Sequence, residues 1–597
     1  SQHQFCGFLR GCPRTANPAT PRPMSRRKDL LGKIVNKMMS GGQAAVRALQ
    51  VEKTEYVFGL IGSATMEMFD ALYDADDINF IGIHDERTGT HMADGYARAS
   101  GRAGVVLAGQ NGPGATNLVT GLAQAKAAFS PVVSIAGALS SEHQYRDAFQ
   151  EVDQQALFTP VTKKTWTAPR ADRVPELFRE AFRLALTPRM GPVQLNLPRD
   201  VLAAQIDSPE FQEPHQYRMA SRPAGATSEI AAAAALLGGA ARPVIVVGGG
   251  IKNTGGEDAA LGLATAINAP LVAAPGHGDA ISFGHPLNAG QMGPRGNAVA
   301  SRLVREADVI LALGTRLGFN STFYSYDNIN RDAKIIQIEL EPTAIGRYFP
   351  IEIGIWADAP TAALQLADAI SVQQARSAVD AWTAQFQDDR AAYRAQCDAD
   401  AVLDTALIQP SGLFKTLRDV LPAEAAFTMD AGTLCLQATD AMNYWHPKSL
   451  FTPLDFGLVG FSFSCGLGVK LANPERPVIS MMGDGGFGMT ISELSTAVDY
   501  GINTVTIVMN NQCWGAEKAY QRDFFNGRYI GADVSSPSFD KAAELYGAAG
   551  FKVDHLDQIG DAVGAALAAD RPAVIDVSVD PAALYSFRRD SFKHRGG

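Results

Sequence analysis

From Gly41 onward, short continuous apolar runs alternate with longer helical segments. Residues 56–61 read as a strand and turn, 78–84 as a short buried strand, and 104–108 as a strand ending in the turn Asn111-Gly112-Pro113-Gly114; 131–136 and 193–197 continue the series. Strands that alternate with helices predict a parallel sheet covered on both faces. This first unit closes near Pro198-Arg199-Asp200, and the polar, proline-containing stretch 207–226 reads as a linker. A second unit carries apolar runs at 243–247, 271–274, 309–313 and 334–338, the first ending in Gly248-Gly249-Gly250. Charged helical sequence over 371–404 leads to a third, with runs at 427–430, 478–482, 505–510 and 573–577. The predicted fold class is α/β, with three doubly wound parallel-sheet domains at 41–205, 226–371 and 405–597.

Composition narrows the function without naming it. The 597 residues are 46% hydrophobic and 19% charged, as in ordinary globular proteins. A formal net charge of -10 argues against nonspecific nucleic-acid binding, and no uninterrupted apolar run reaches membrane-spanning length. The six cysteines are scattered without metal-ligand spacing, which suits a reducing cytoplasm. The basic, Pro-containing stretch 1–40 stands apart. It reads as a disordered extension, or as sequence upstream of a start near Met38 or Met39, ahead of the alternative of a transit peptide.

Two distant stretches carry the chemistry. In the later one, the apolar run 478–482 delivers Gly483-Asp484-Gly485-Gly486 at a strand's carboxyl end, where open parallel sheets bind ligands. Glycines let backbone N–H groups approach phosphate oxygens, and the helix expected from Met489 would present its positive end to them. Asp484 offers a hard oxygen to magnesium, Asn511, 27 positions on in the pair Asn510-Asn511, can add a carbonyl ligand, and the backbone carbonyl of Cys513 a third. A lone Gly-Asp-Gly turn is common; the Asn-Asn pair at this spacing, after a second apolar strand, makes a magnesium-held diphosphate the better reading.

The earlier stretch is His84-Asp85-Glu86, running into Met92-Ala93-Asp94-Gly95-Tyr96-Ala97-Arg98. Alone, Glu86 would pass for an exposed carboxylate at a helix start. Paired with a diphosphate site it fits a different role, that of a carboxyl group hydrogen-bonded to a ring nitrogen of a cofactor in a mostly apolar pocket. Together the two stretches point to thiamine diphosphate. His84 is a candidate for assisting proton transfer, against a plainly hydrogen-bonded histidine; His91 lacks any metal-ligand pattern. Gln110, Asn111 and Gln150 are polar candidates for orienting a substrate carbonyl or hydroxyl, against turn or cap roles. Lys518, Arg522, Arg528, Arg588 and Arg589 are candidate cations for an anionic substrate, though each alone is more often a solvated charge.

These residues resemble the thiamine diphosphate-dependent acetolactate synthase/pyruvate oxidase superfamily over nearly all of 41–597. The resemblance places that family's glutamate on Glu86, its diphosphate motif on Gly483 to Asn511, and its Gly-Pro-Gly turn on Asn111-Gly112-Pro113-Gly114-Ala115-Thr116-Asn117. It puts the bulky residue that bends the cofactor on Val459, a smaller side chain than the family's usual methionine or leucine, and adds Gly62, Gly432 and Trp514 to the cofactor surroundings. It implies a homodimer or homotetramer in which the ring-binding half of one subunit meets the diphosphate half of another.

Within the superfamily the chain is similar to the sulfoacetaldehyde acetyltransferases. Four segments carry this: Phe58-Gly59-Leu60-Ile61-Gly62-Ser63-Ala64; Phe149 to Phe158; Trp514-Gly515-Ala516-Glu517-Lys518 with Gln521, Phe524 and Arg528; and Phe587-Arg588-Arg589-Asp590. The stretches Thr65 to Met68 and Ser140 to Arg146 depart from that pattern. What the resemblance implies is conversion of sulfoacetaldehyde and phosphate to acetyl phosphate and sulfite, with magnesium and small anionic substrates. The alternatives are an acetolactate synthase-like carboligase or decarboxylase, and, from another class, a cofactor-binding relic with a scaffolding role; intact Glu86, Asp484 and Asn511 speak against the relic. Some members hold FAD in the middle domain, and Gly276-His277-Gly278 to Pro294-Arg295-Gly296 could line such a site; FAD stays open but not favoured.

Overall fold

The computed structural model describes residues 38–370 and 376–587. Residues 1–37, most of the stretch read as a disordered extension, lie outside the described residues, as do Arg588 and Arg589.

Three six-stranded parallel sheets form the body of the molecule. In the first, spatial order runs Asn79–Gly82, Tyr56–Leu60, Gly104–Ala108, Val132–Ala138, Val193–Pro198, Thr165–Thr167. The third repeats that pattern with Leu450–Phe451, Ala426–Met429, Val478–Gly483, Val505–Asn510, Ala573–Ser578 and Ala549–Val553. In chain order within each domain, both are 2-1-3-4-6-5. The central sheet differs: Asn288–Gln291, Leu271–Ala273, Pro243–Val247, Val309–Leu313, Lys334–Glu339, Ile353–Trp356, or 3-2-1-4-5-6. The inner strands 104–108, 132–138, 243–247 and 309–313 are buried along their whole length, which is why they appear as unbroken apolar runs. The linker 207–226 holds only one 3₁₀ turn, Pro214–Gln216.

Six helices position the site. They are α1 (Glu86–Ser100), α2 (Pro113–Ala127), α3 (Ser462–Ala472), α4 (Asp484–Gly488), α5 (Glu493–Asp499) and α6 (Gly515–Phe524). The Asp85 carboxylate caps α1 by accepting the Arg87 N–H at 2.7 Å, and Gly101, at φ 75°, ends it. Pro113 opens α2, where a missing N–H costs nothing. The sequence placed the helix after the Gly-Asp-Gly turn at Met489. Instead the chain enters α4 at Asp484 itself and restarts as α5 after a break.

The first and third domains share one core. Helix α1 lies against α3 at two glycines: a Cβ on Gly95 would fall 2.2 Å from the Cys465 carbonyl oxygen, and one on Gly468 would fall 1.9 Å from that of Met92. Met92, Phe463, Leu467, Met482 and Phe487 then join Phe58 and Val106 in a single buried cluster. Each such side chain contributes about 1.5–3 kcal/mol on burial, so the loops of both domains sit on one rigid base.

Candidate active site

In an open parallel sheet, ligands bind where chain order reverses, because loops there leave the strand ends in opposite directions. In the third sheet that point lies between 426–429 and 478–483. The loops leaving these strands are Asp430-Ala431-Gly432 and Gly483-Asp484-Gly485-Gly486, and they line one cavity with Val459, Asn511 and Trp514. A Cβ on Gly486 would fall 2.3 Å from Asp430 Oδ2 and 3.3 Å from Val459 Cγ1; one on Gly485 would fall 2.6 Å from the Trp514 ring. The glycines thus serve close packing as well as access to backbone N–H groups.

Asp484 and Asn511 are both buried. The next strand, 505–510, divides its asparagines: Asn510 donates to Asp576 Oδ1 at 3.0 Å, while Asn511 turns to the site. The Asn511 amide oxygen lies 2.9 Å from the Cys513 carbonyl oxygen and 3.3 Å from Asp484 Oδ1. Turning the amide over would convert both contacts into hydrogen bonds. The Cys513 N–H, however, donates to that same amide oxygen at 3.4 Å, which favours oxygen facing inward. Oxygens on adjacent corners of a magnesium octahedron are about 3 Å apart, so the trio fits a divalent cation. Among the described residues no group of three His, Cys, Asp or Glu gathers as a metal site; this one needs a single carboxylate and two carbonyls. Burial raises the Asp484 carboxyl above the usual range, and the hydroxyl of Ser536, donating to Oδ2 at 2.6 Å, opposes that shift. Sequence reading missed Ser536, which no motif marks.

The first sheet has the same reversal, between 56–60 and 104–108. Around it gather Gly62, Gln110, Asn111, Gly112 and Glu86. A Cβ on Gly62 would fall 2.5 Å from the Gly109 carbonyl carbon, so the two loops touch. Gly112, at φ 44°, lies against Gln150, whose carbonyl accepts from Asn111 Nδ2 at 2.9 Å. Gln110 donates to Ser63 Oγ at 3.2 Å. Glu86, 4% exposed, accepts from Asn117 Nδ2 at 3.0 Å on one oxygen; the other points past Gly114, where a Cβ would fall 3.1 Å from it. Burial raises the Glu86 carboxyl, with Asn117 pulling it back. Burial thus leaves a carboxyl group that holds its proton more tightly than an exposed one. The His84 ring meets Thr496 Oγ1 at 3.2 Å, so it turns toward α5 rather than toward Glu86. His91 is fully buried with its pKa lowered to about 3 by burial, and its ring meets Phe461 edge-on.

Two of the three candidate cations after the metal site are already paired. Lys518 meets Asp533 at 2.6 Å, and Arg522 meets Asp523 at 2.6 Å and donates to the Leu584 carbonyl. Arg528 is exposed. None of the three lines the cavity; α6 presents Ala516, Glu517 and Tyr520 to it instead. Exposed pairs are worth about 0–1 kcal/mol, so a substrate anion could open them. The cavity, about 1480 Å³, continues past Gly276, His277 and Arg295 to Gly249, Gly250 and Arg316 of the central domain. The stretch considered for flavin therefore lies on the same space as the diphosphate loops. Glu86 and its neighbours do not line this cavity of their own chain.

Asp430 offers a check on the electrostatics. It is buried and accepts the N–H groups of Gly460 at 2.9 Å and Phe461 at 2.8 Å, yet burial wins and its carboxyl is raised from 3.8 to about 6. A raised folded-state pKa stabilises below the unfolded value, and that contribution is lost as pH rises through the folded value. Thermal unfolding of the parent should therefore lose stability between about pH 4 and pH 6 relative to Asp430→Asn, which lacks that slope whatever its absolute stability. Parallel curves for the two would show Asp430 to be ionised throughout.

Comparison with known proteins agrees with this arrangement. Residues 39–157, 230–366 and 430–577 match the N-terminal TPP binding, central and C-terminal TPP binding domains of thiamine pyrophosphate enzymes. The chain is 34% identical over 584 residues to a sulfoacetaldehyde acetyltransferase of Alcaligenes xylosoxydans xylosoxydans, covering 93% of this chain and 95% of that protein. It is 32% identical to a sulfoacetaldehyde acetyltransferase of Castellaniella defragrans, covering 93% and 95%. It is 31% identical to a probable acetolactate synthase large subunit of Methanococcus aeolicus, covering 92% and 93%. With the paired switch points and the glycine-lined loop beside three converging oxygens, these matches make the chain a member of the thiamine diphosphate enzymes of the acetolactate synthase superfamily.

Proposed function

We propose that the protein is a magnesium-dependent acyltransferase that converts sulfoacetaldehyde and phosphate to acetyl phosphate and sulfite. It works in the cytoplasm as a homo-oligomer, with each active site shared by two subunits. The observation that carries the substrate is the likeness to two sulfoacetaldehyde acetyltransferases along almost the whole of both chains. The four free cysteines among the described residues suit a reducing compartment.

Thiamine diphosphate supplies a carbon nucleophile that adds to a carbonyl and then holds the negative charge released there. The residues around it have separable roles. Asp484, Asn511 Oδ1 and the Cys513 carbonyl would hold the cation, and the backbone N–H groups of Gly485 and Gly486 would bind the diphosphate. Val459 would support the cofactor from below its rings. Glu86 would hydrogen-bond a cofactor ring nitrogen and hold or release a proton there. Gln110, Asn111 and Gln150, brought together at the first sheet's switch point, orient the aldehyde. Lys518 and Arg522 meet the sulfonate or phosphate once Asp533 and Asp523 release them, and Arg528, exposed in the same segment, joins them; Arg588 and Arg589, outside the described residues, are further candidate cations. In one chain Asp484 lines the large cavity and Glu86 does not, and exposed apolar side chains of the first domain, Ile61, Met66, Tyr145 and Phe149, suit burial against a second subunit.

Incubation with sulfoacetaldehyde and phosphate should release sulfite in step with acetyl phosphate. A second reading rests on the acetolactate synthases, similar at 31% and 32% identity over more than nine-tenths of the chain. Turnover of pyruvate without sulfite release would establish that reading in place of the first. Flavin is outside the proposal; yellow colour that persists through gel filtration would bring it in.

A further inference from the structure

We infer that Glu493 is a positioning residue: its buried carboxylate clamps the loop that carries Glu86 onto the segment following the diphosphate loop. The inference rests on the role proposed for Glu86.

The loop leaves the strand Asn79–Gly82 and enters α1 within four residues. Within its own domain the loop is tied by the Ile83 N–H to the Gly59 carbonyl at 3.0 Å and by the Asp85 cap. A second set of bonds comes from the third domain. Glu493, the first residue of α5, is fully buried. Its Oε1 accepts the His84 N–H at 3.0 Å and the Thr88 hydroxyl at 2.6 Å. Those donors sit two residues before and two after Glu86, so a single oxygen pins both flanks. Oε2 accepts the Thr496 hydroxyl at 2.7 Å. One turn on, Tyr500 OH accepts the Gly82 N–H at 2.8 Å, and the Thr496 hydroxyl also reaches the Gly82 carbonyl at 3.0 Å. Upstream, the Met489 carbonyl accepts from Arg87 Nη2 at 3.2 Å. Residues 82–88 thus lie along α5 as a strand lies along its neighbour, with side chains in place of a backbone ladder.

The arrangement leaves the Glu86 carboxylate free to face the other way, toward Asn117 and Gly114. A carboxylate is suited to the clamp because it accepts on both oxygens and donates on neither, matching two donors on one side and one on the other. Removing it would leave the part-buried His84 N–H without its acceptor and turn the Thr88 hydroxyl wholly to the Asp85 carbonyl, 2.6 Å away, so that the loop loses both ties to α5.

The test is exchange of the thiazolium C2 proton of bound thiamine diphosphate into D2O, stopped with acid and read by proton NMR on the full chain at saturating cofactor. Cofactor affinity is measured separately by quenching of tryptophan fluorescence. Glu493→Ala should slow exchange by about 100-fold, the effect of roughly 1 Å of misplacement, with affinity changed far less. Glu493→Gln keeps one oxygen for the His84 and Thr88 donors and should recover to within about threefold of the parent. Exchange in Glu493→Ala at the parental rate would overturn the inference. Should Glu493→Ala not fold, the double variant Thr88→Val, Thr496→Val removes two of the bonds at nearly constant volume. It should exchange about tenfold more slowly, and the parental rate there would overturn the inference equally. Glu86→Gln is the control. If the parent exchanged no faster than Glu86→Gln, the role of Glu86 itself would be refuted, an outcome distinct from failure of the clamp.

Discussion

Replacing Glu86 with glutamine lowers turnover by about 10²–10⁴-fold, the range that a positioned proton-transfer group contributes, while leaving thiamine diphosphate binding nearly intact. The separation of effects follows from where Glu86 sits. Its carboxylate belongs to the first domain and touches Asn117, far along the chain from the glycine loop and the three oxygens proposed to hold the cation. Glutamine keeps the size and the Asn117 contact but cannot share a proton with a ring nitrogen. The same variant tests the shared site. Mixed with Asp484→Asn under conditions that exchange subunits, two inactive proteins should regain about a quarter of the parental activity: half the dimers are hybrid and each has one intact site. If Glu86 and Asp484 of one chain formed the site, no mixture would recover anything. Near-normal activity of Glu86→Gln alone would refute its assignment outright.

Asp484→Ala abolishes activity by a different route, at the level of affinity. It removes the one carboxylate from the oxygen trio and leaves Asn511 and Cys513 with neutral carbonyls, too weak to hold a divalent cation against water. Apparent affinities for magnesium and for thiamine diphosphate should both fall more than about 100-fold, and titration calorimetry should show the two losses together. Ser536→Ala removes only the hydroxyl that donates to Asp484 Oδ2 and should weaken the metal by about tenfold. Chelation of the parent should reproduce the Asp484→Ala phenotype and be reversed by added magnesium. Unchanged cofactor affinity in Asp484→Ala would place the cation elsewhere.

The two domains that provide Glu86 and Asp484 share the strand order 2-1-3-4-6-5, and the central domain does not. That parallel gives both outer domains a switch point in the same place. It also places their candidate residues in equivalent loops: Gly62 and Asp430 after the first strand, Gln110 and Asp484 after the third.

The inner strands and the loops at their carboxyl ends were legible before any folding was known. A strand buried on both faces must be apolar throughout, so 104–108, 243–247, 309–313 and 505–510 stood out with their observed bounds. Asp484 and Asn511 each stand directly after such a strand, and Glu86 four residues beyond the edge strand Asn79–Gly82, which is how the sequence marked them as a candidate set. The rest emerged only from packing in three dimensions. The edge strands Thr165–Thr167, Leu450–Phe451 and Ala549–Val553 escaped the reading, because an edge needs no long apolar run and is defined by what it pairs with. Ser536 and Glu493 carry no local signature. Glu493 meets His84 across 409 positions of sequence, and only the packing of α1 on α3 brings those backbones together. The charges on Lys518 and Arg522 were plain in the sequence, as was Asp523 beside Arg522, but the pairing of Lys518 with Asp533 depends on how the loop folds back. Local periodicity reports which face of an element is buried; which distant groups meet there is set by close packing between elements.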